Sequence, residues 1–239
     1  MRLDYSNMIR MKLLRELKNG QYAECDRLPR ETVLAEQFGI SRNHLREVLA
    51  QLEREGFITR IHGVGTLINR HVINVNYRMD IEMEFLDIIR QNGYEAGISF
   101  IHVQEEPSDR CMAEKLQIEE GTEVLVVSRV CTADGKPAIY CEDILKKSLV
   151  KEAFDLKELE LPIFHFLKNC CYVDAYMDLT QLHAVLSDEK LSKMLEISEG
   201  SPLLNMEEVD YDIDGNVIFY SRQYFVDEMF AHTVLRKKL

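Results

Sequence analysis

Arg42, Asn43 and Arg46, directly behind Ser41, form the group of residues whose types and spacing most plainly suggest a chemistry. Arginine can take guanine O6 and N7 in a bidentate pair, and asparagine suits adenine N6 and N7. Presented together at the exposed start of a helix, such residues meet base edges and phosphates in the major groove. Other chemistries find little support. The six cysteines (Cys25, Cys111, Cys131, Cys141, Cys170, Cys171) show no C-x-x-C pair and no zinc-type spacing with histidine, so they read as reduced, buried small hydrophobes. The seven histidines are scattered without H-x-x-x-H or H-E-x-x-H, so no metal and no cofactor is expected.

The elements that must position the arginines are legible around them. Ile9, Leu13, Leu14 and Leu17 repeat at helical spacing before Gly20, predicting a helix over 5–19. Glu31 to Phe38, stopped by Gly39, is a second, short helix. Ser41 is a good N-cap for a third helix over 42–55, whose apolar stripe is Leu45, Val48, Leu49 and Leu52. That stripe leaves Arg42, Asn43 and Arg46 outside. Residues 57–61 and 66–68 read as short strands around His62-Gly63-Val64-Gly65, a hairpin tip. The order is that of a winged helix-turn-helix.

Charge fits this only when counted in parts. The 239 residues carry a net charge of −12, which taken whole argues against nucleic acid. Residues 1–70 hold 12 Lys+Arg against 9 Asp+Glu, a balance of +3; the remaining 17 and 32 leave −15 for residues 71–239. Residues 71–78 read as a linker between a slightly basic domain, 1–70, and an acidic one, 79–239. A hydrophobic content of 46% excludes disorder. No apolar run approaches the roughly 20 residues of a membrane helix, and no secretory signal is expected.

The acidic part repeats itself. Leu116-Gln117-Ile118-Glu119-Glu120-Gly121-Thr122 matches Leu195-Glu196-Ile197-Ser198-Glu199-Gly200-Ser201 at an offset of 79, and Asp134-Gly135 matches Asp214-Gly215 at an offset of 80. Each unit reads as helix (109–116; 187–195, with Ser187 as cap), Gly turn, strand (124–132; 203–213), D-G hairpin and strand (138–145; 217–226). Two more strands are expected at 98–104 and 172–182. The fold class is therefore α+β, with a cleft where the two halves meet.

The strings Leu28-Pro29-Arg30-Glu31-Thr32-Val33-Leu34-Ala35, Ile40 to Leu49, Leu52 to Ile58 and His62-Gly63-Val64-Gly65-Thr66 resemble the GntR family of bacterial transcription regulators. The resemblance implies a homodimer on an inverted-repeat operator in double-stranded DNA. It assigns recognition to Ser41, Arg42, Asn43 and Arg46, and the wing contact to His62 and Gly63. The chain departs from the family's pattern at Arg30, Thr32, His44 and Val64, where serine, arginine, threonine and a basic residue are usual. Arg30 could stand in for the arginine absent at Thr32. Loss of the usual serine removes the cap of the second helix, and a non-consensus operator or weaker binding is expected.

Residues 79–239, with Arg129…Ala133-Asp134-Gly135-Lys136-Pro137…Glu142, resemble the UTRA effector domain of the HutC-type branch, an antiparallel-sheet domain similar to the chorismate lyase fold. The family's R-x-R pair is Arg129 and Cys131 here. The resemblance implies a small-molecule effector held by Arg129, Tyr140, Glu142, Tyr176, Tyr220, Arg222 and Tyr224. Arg222 occupies the repeat position equivalent to Glu142, so the two are expected to face each other across the cleft or to form a structural ion pair. Sugar phosphates would follow family practice, but missing positive partners argue against a dianion in an acidic domain. The function implied is a cytoplasmic, ligand-responsive regulator, more often a repressor. The alternatives are a lyase-like enzyme with a vestigial DNA-binding segment, or a protein-binding module without an effector; no nucleophile–base pair converges to support the enzyme.

Overall fold

The apolar stripes dictate the N-terminal packing. In the computed structural model, which describes residues 2–226 and 229–238, helix α1 (Arg2–Asn19) and helix α3 (Arg42–Arg54) bury Leu13, Leu17, Leu45, Leu49 and Leu52 against one another. Helix α2 (Glu31–Phe38) adds Leu34 and Ala35. Gly39 closes α2 at φ +64°, a left-handed conformation that glycine adopts without strain. Arg30 occupies the N-cap of α2 with no side-chain hydrogen bond, as the absence of the usual serine predicts. Strands β1 (Ile58–Ile61) and β2 (Gly65–Ile68) pair antiparallel, with Gly63 at the tip at φ +77°.

This unit extends beyond the expected boundary. Contacts divide the chain into Met1–Asp80 with Thr233–Leu239, and Ile81–His232. Within residues 71–78, expected as a linker, Val72, Ile73 and Tyr77 are buried, the first two in a helical turn, α4 (Arg70–Ile73). Their apolar side chains are too costly to leave in water. The Arg70 guanidinium secures the turn, donating to the Leu17 carbonyl at 2.7 Å. The C-terminal tail joins the same unit. The Met79 N–H donates to the Thr233 carbonyl at 2.9 Å, and the Leu235 N–H donates to Asp80 Oδ1 at 3.2 Å. Lys237 Nζ donates to the carbonyls of Glu53 and Arg54 at 2.5 and 3.0 Å, so a cation sits on the C-terminal end of α3, where the helix dipole favours it.

In the second unit, helix α5 (Phe85–Gln91) precedes strand β3 (Ala96–Pro107). Then come α6 (Arg110–Leu116), β4 (Glu123–Ala133), β5 (Lys136–Lys146), α7 (Ile163–Phe166), β6 (Met177–Leu186), α8 (Glu189–Leu195), β7 (Pro202–Tyr211) and β8 (Val217–Val226). The strands form one antiparallel sheet in the order β3-β4-β5-β8-β7-β6. β6 begins at Met177, later than the expected Tyr172, which instead adopts φ +57° at the end of the preceding helical turns.

The sequence repeat is a repeat of hydrogen bonds. Ser108 N–H to Thr122 O recurs as Ser187 N–H to Ser201 O, and Gly121 N–H to Ser108 O recurs as Gly200 N–H to Ser187 O. Gln117 and Glu196 both end their helices in the left-handed region, at φ +53° and +54°. The expected cap at Ser187 is corrected: Asp188 caps α8, as Asp109 caps α6, each accepting from the N–H three residues on. Ser187 Oγ instead ties the turn, donating to the Ser198 carbonyl.

The sheet's two faces are covered differently. α6 and α8 pack on one, burying Met112, Leu116, Leu191 and Leu195 against residues such as Val126, Ile144, Val130 and Tyr140. On the other, α7 and its continuation bury Phe166, Leu167 and Cys170 against Val127, Leu145 and Phe219.

Candidate functional site

Two places carry groups arranged for chemistry. In the N-terminal unit, Ser41 Oγ accepts from the His44 N–H at 3.2 Å and fixes the start of α3. Ser41, Arg42, Asn43 and Arg46 are all exposed there, as are Arg30, Thr32, His62 and Gly63. Arg46 is held by Glu31 at 2.7 Å, a surface pair worth little and easily exchanged for a phosphate. His44 is placed differently from its neighbours: its ring lies 5.3 Å from the Tyr5 ring and shares a hydrogen bond of 2.8 Å with Ser6 Oγ, so it braces α3 against α1.

In the second unit the expected effector residues fall on opposite faces of the sheet. Tyr140, Glu142, Tyr220, Arg222 and Tyr224 share the face under α6 and α8. Tyr140 OH donates to Glu142 at 2.8 Å, Lys190 of α8 reaches the same oxygen at 2.6 Å, and Tyr140 stacks on Tyr224. Arg222 pairs with Glu142 at 3.0 Å from the adjacent strand. The two do not face each other across a cleft; they are cross-strand neighbours in a network that fastens a helix to the sheet. Tyr176 is exposed, just before β6.

Arg129 points to the other face. Its guanidinium is buried, donating to Asp143 Oδ2 at 2.7 Å and to the Leu161 carbonyl at 3.2 Å. From that pair a chain of hydrogen bonds crosses the sheet: Ser221 to Asp143 at 2.8 Å, Gln223 to Ser221 and Glu208, and Thr180 to Glu208 and to Asp178. Sequence reasoning missed this row. Its signal was period-2 alternation in β5, β6, β7 and β8, which puts Asp143, Ser221, Glu208 and Thr180 in one cross-strand line. A small cavity lined by Glu84, Phe85, Ile98, Arg129, Cys131 and Leu161 opens beside Arg129.

The electrostatics of this face are lopsided. Burial, reinforced by neighbouring carboxylates, pushes Glu82, Glu84 and Glu208 up to about 7 and Asp210 up to about 9. Burial likewise pushes the Cys131 thiol up to about 11, so it is no nucleophile. Cys25 is only half-buried and Cys111 is exposed, contrary to the expectation of burial throughout; all six cysteines are free. Among the described residues no group of three or more His, Cys, Asp or Glu is arranged to hold a metal, and no helix is long and apolar enough to cross a membrane.

A carboxyl whose pKa is raised on folding binds its proton more tightly in the folded state. Its contribution to stability is present below its unfolded value, near 4, and is lost as pH rises through its folded value. Asp210→Asn, which cannot ionise, is therefore expected to gain in melting temperature over the parent progressively between pH 6 and 9. A pH-independent difference in calorimetry would contradict the burial of a protonated Asp210.

Comparison with known proteins finds a family model for each of the two units. The family model described as bacterial regulatory proteins, gntR family, matches residues 5–68, and the UTRA domain model matches residues 91–231. An HTH-type transcriptional regulator of Rhizobium meliloti, RB1450, is 27% identical over 222 residues, covering 87% of this chain and 85% of that protein. The mannosyl-D-glycerate transport/metabolism system repressor MngR of Escherichia coli is 25% identical over 95% of this chain and 93% of its own length. The crystal structure of the possible regulator YydK of Bacillus subtilis shares the fold, with a TM-score of 0.79 at 21% identity over 97% of this chain and 99% of that one. That of PhnF from Mycobacterium smegmatis superposes at 0.60, with 21% identity over 95% and 98% of the two chains.

Proposed function

The chain belongs to the gntR family of bacterial regulatory proteins and carries a UTRA domain, and from that premise we propose that it is a cytoplasmic, homodimeric repressor whose hold on an inverted-repeat operator changes when a small molecule binds the acidic domain. The domains and relatives are those of transcriptional regulators and not of enzymes. The observation that carries the reading is the exposed start of α3: a capped helix presenting Arg42, Asn43 and Arg46 beside a glycine-tipped wing. Two relatives, MngR and the Bacillus subtilis NagR, are named repressors, which supports that direction of control.

Support for a second copy comes from β6. It is an edge strand of the sheet, and Met177, Leu179, Leu182 and Leu186 are exposed along it. Exposed apolar edges are ordinarily covered. A dimer would set two recognition helices one DNA turn apart, roughly 34–36 Å. Sedimentation of the purified chain, followed by operator selection from random duplex DNA, tests this. A monomer, or selected sites without dyad symmetry, would overturn it.

The coupling proposed runs through the chain's own crossings. The polypeptide passes from the first unit to the second after Asp80 and returns before Thr233, and the returning tail caps α3 through Lys237. Removing residues 234–239 is expected to leave ligand binding intact while shrinking the ligand-induced change in operator affinity at least several-fold. An unchanged response in paired anisotropy titrations would exclude the tail from the coupling.

A further inference from the structure

The ligand class follows from what the polar row lacks. Six carboxylates serve this face: Glu82 and Glu84 ahead of α5, Asp143 on β5, Asp178 on β6, and Glu208 and Asp210 on β7. Arg129 on β4 faces them, but its two terminal nitrogens already donate to Asp143 and the Leu161 carbonyl, and its Nε has no partner among the described residues. Cys131 and Cys141 beside it are uncharged thiols, and His232 lies against Phe225 at the far end.

Two further atoms point to a missing partner. Gln223 is 3% exposed and its amide nitrogen donates to Glu208, yet its Oε1 has no hydrogen-bond partner among the described residues. Asp210 is 2% exposed, and its Oδ2 is likewise unmatched. A buried polar atom without a hydrogen-bond partner costs free energy that a protein rarely leaves uncompensated. A donor-rich, positively charged group satisfies both atoms and the surrounding carboxylates together; a phosphate would meet repulsion from nearly every side.

Resting on the reading of this sheet as the effector domain, we propose that the polar row running over β5, β8, β7 and β6 on this face takes a cationic small molecule carrying a protonated amine or guanidinium. Glu208, Asp210 and Gln223 receive its donors, and Glu82, Glu84 and Asp178 line its approach. Binding draws these carboxyls into the ionised form, so protons are released and affinity rises with pH until the ligand's own amine loses its charge.

The test uses the full chain with 1,4-diaminobutane, agmatine and lysine as cationic probes and glucose 6-phosphate and glycerate as anionic ones. Thermal-shift and calorimetric titrations are run at pH 6.5 and 8, in buffers of different ionisation enthalpy. We expect at least one cation to bind with proton release, more tightly at pH 8, and Glu208→Gln and Asp210→Asn to weaken it at least tenfold while remaining folded. Stabilisation by an anionic probe alone, by Mg²⁺ or Ca²⁺ alone, or by none of the cations at 10 mM would overturn the proposal, as would variants with unchanged affinity. An operator titration on the same samples separates the two readings. A cation that binds without changing operator affinity upholds the cation site and sinks the regulatory role; an anion that changes operator affinity does the reverse.

Discussion

Replacing Arg42 and Arg46 together with alanine is expected to lower affinity for a selected operator by a hundredfold or more. Each bidentate base contact is worth about 1–3 kcal/mol, roughly 5- to 150-fold, and the two side chains sit a turn apart on the exposed side of α3. Neither is needed for folding. Leu45, Val48, Leu49 and Leu52 hold the helix, Ser41 caps it, and Arg46 gives up only a surface pair with Glu31. Melting temperature and oligomeric state should therefore be unchanged. The dependence of log affinity on log salt should also flatten by about one for each phosphate that an arginine no longer neutralises. If gel shifts at fixed salt match the parent, α3 is not the reading element.

The second large effect is one of stability. Arg129→Ala removes the cation from a pair in which both side chains are at least 96% buried, and leaves Asp143 facing further carboxylates. Breaking a buried pair from one side costs about 3–5 kcal/mol, a large share of the stability of an ordinary domain. Asp143→Asn in the same chain should recover part of that loss, because it removes the stranded charge. Urea denaturation of the parent, the two single variants and the double variant measures the coupling. Strict additivity would show that the pair contributes nothing as a pair. Loss of ligand response in Arg129→Ala is consequently no proof of ligand contact; that evidence has to come from Glu208 and Asp210, whose neutral variants keep their shape.

The contrast between these positions shows what the sequence could reveal. The recognition helix was legible because every signal for it is local: a cap at Ser41, a stripe at helical spacing, a glycine at each end. The repeat was legible too, since Leu116 and Leu195, or Gly121 and Gly200, stand at one offset. The polar row beside Arg129 was not, because facing depends on register between distant strands. A regular two-residue turn at Asp134-Gly135 would place Arg129 opposite Tyr140, on one face with Glu142. The register instead shifts between Cys131 and Thr132, with Ala138 as the extra residue, so Arg129 pairs with Cys141. One inserted residue moves every later side chain of β5 to the other face relative to β4. Tyr140 and Glu142 therefore go beneath the helices, and Cys141 and Asp143 join Arg129. Similarly, nothing local marks residues 233–238 as part of the N-terminal unit; long-range contacts such as the hydrogen bonds to Met79, Asp80, Glu53 and Arg54 do.

Fluorescence anisotropy of the full chain on a selected operator, with and without a ligand found by thermal shift, tests the central claim most directly. A coupling of about 1–3 kcal/mol between the two sites predicts a 5- to 150-fold change in operator affinity, with a matching change in ligand affinity when operator is present. Binding should prefer the operator over random duplex and weaken steeply with salt. Equal affinity for operator and random DNA, or an operator affinity indifferent to a ligand that demonstrably binds, would contradict it.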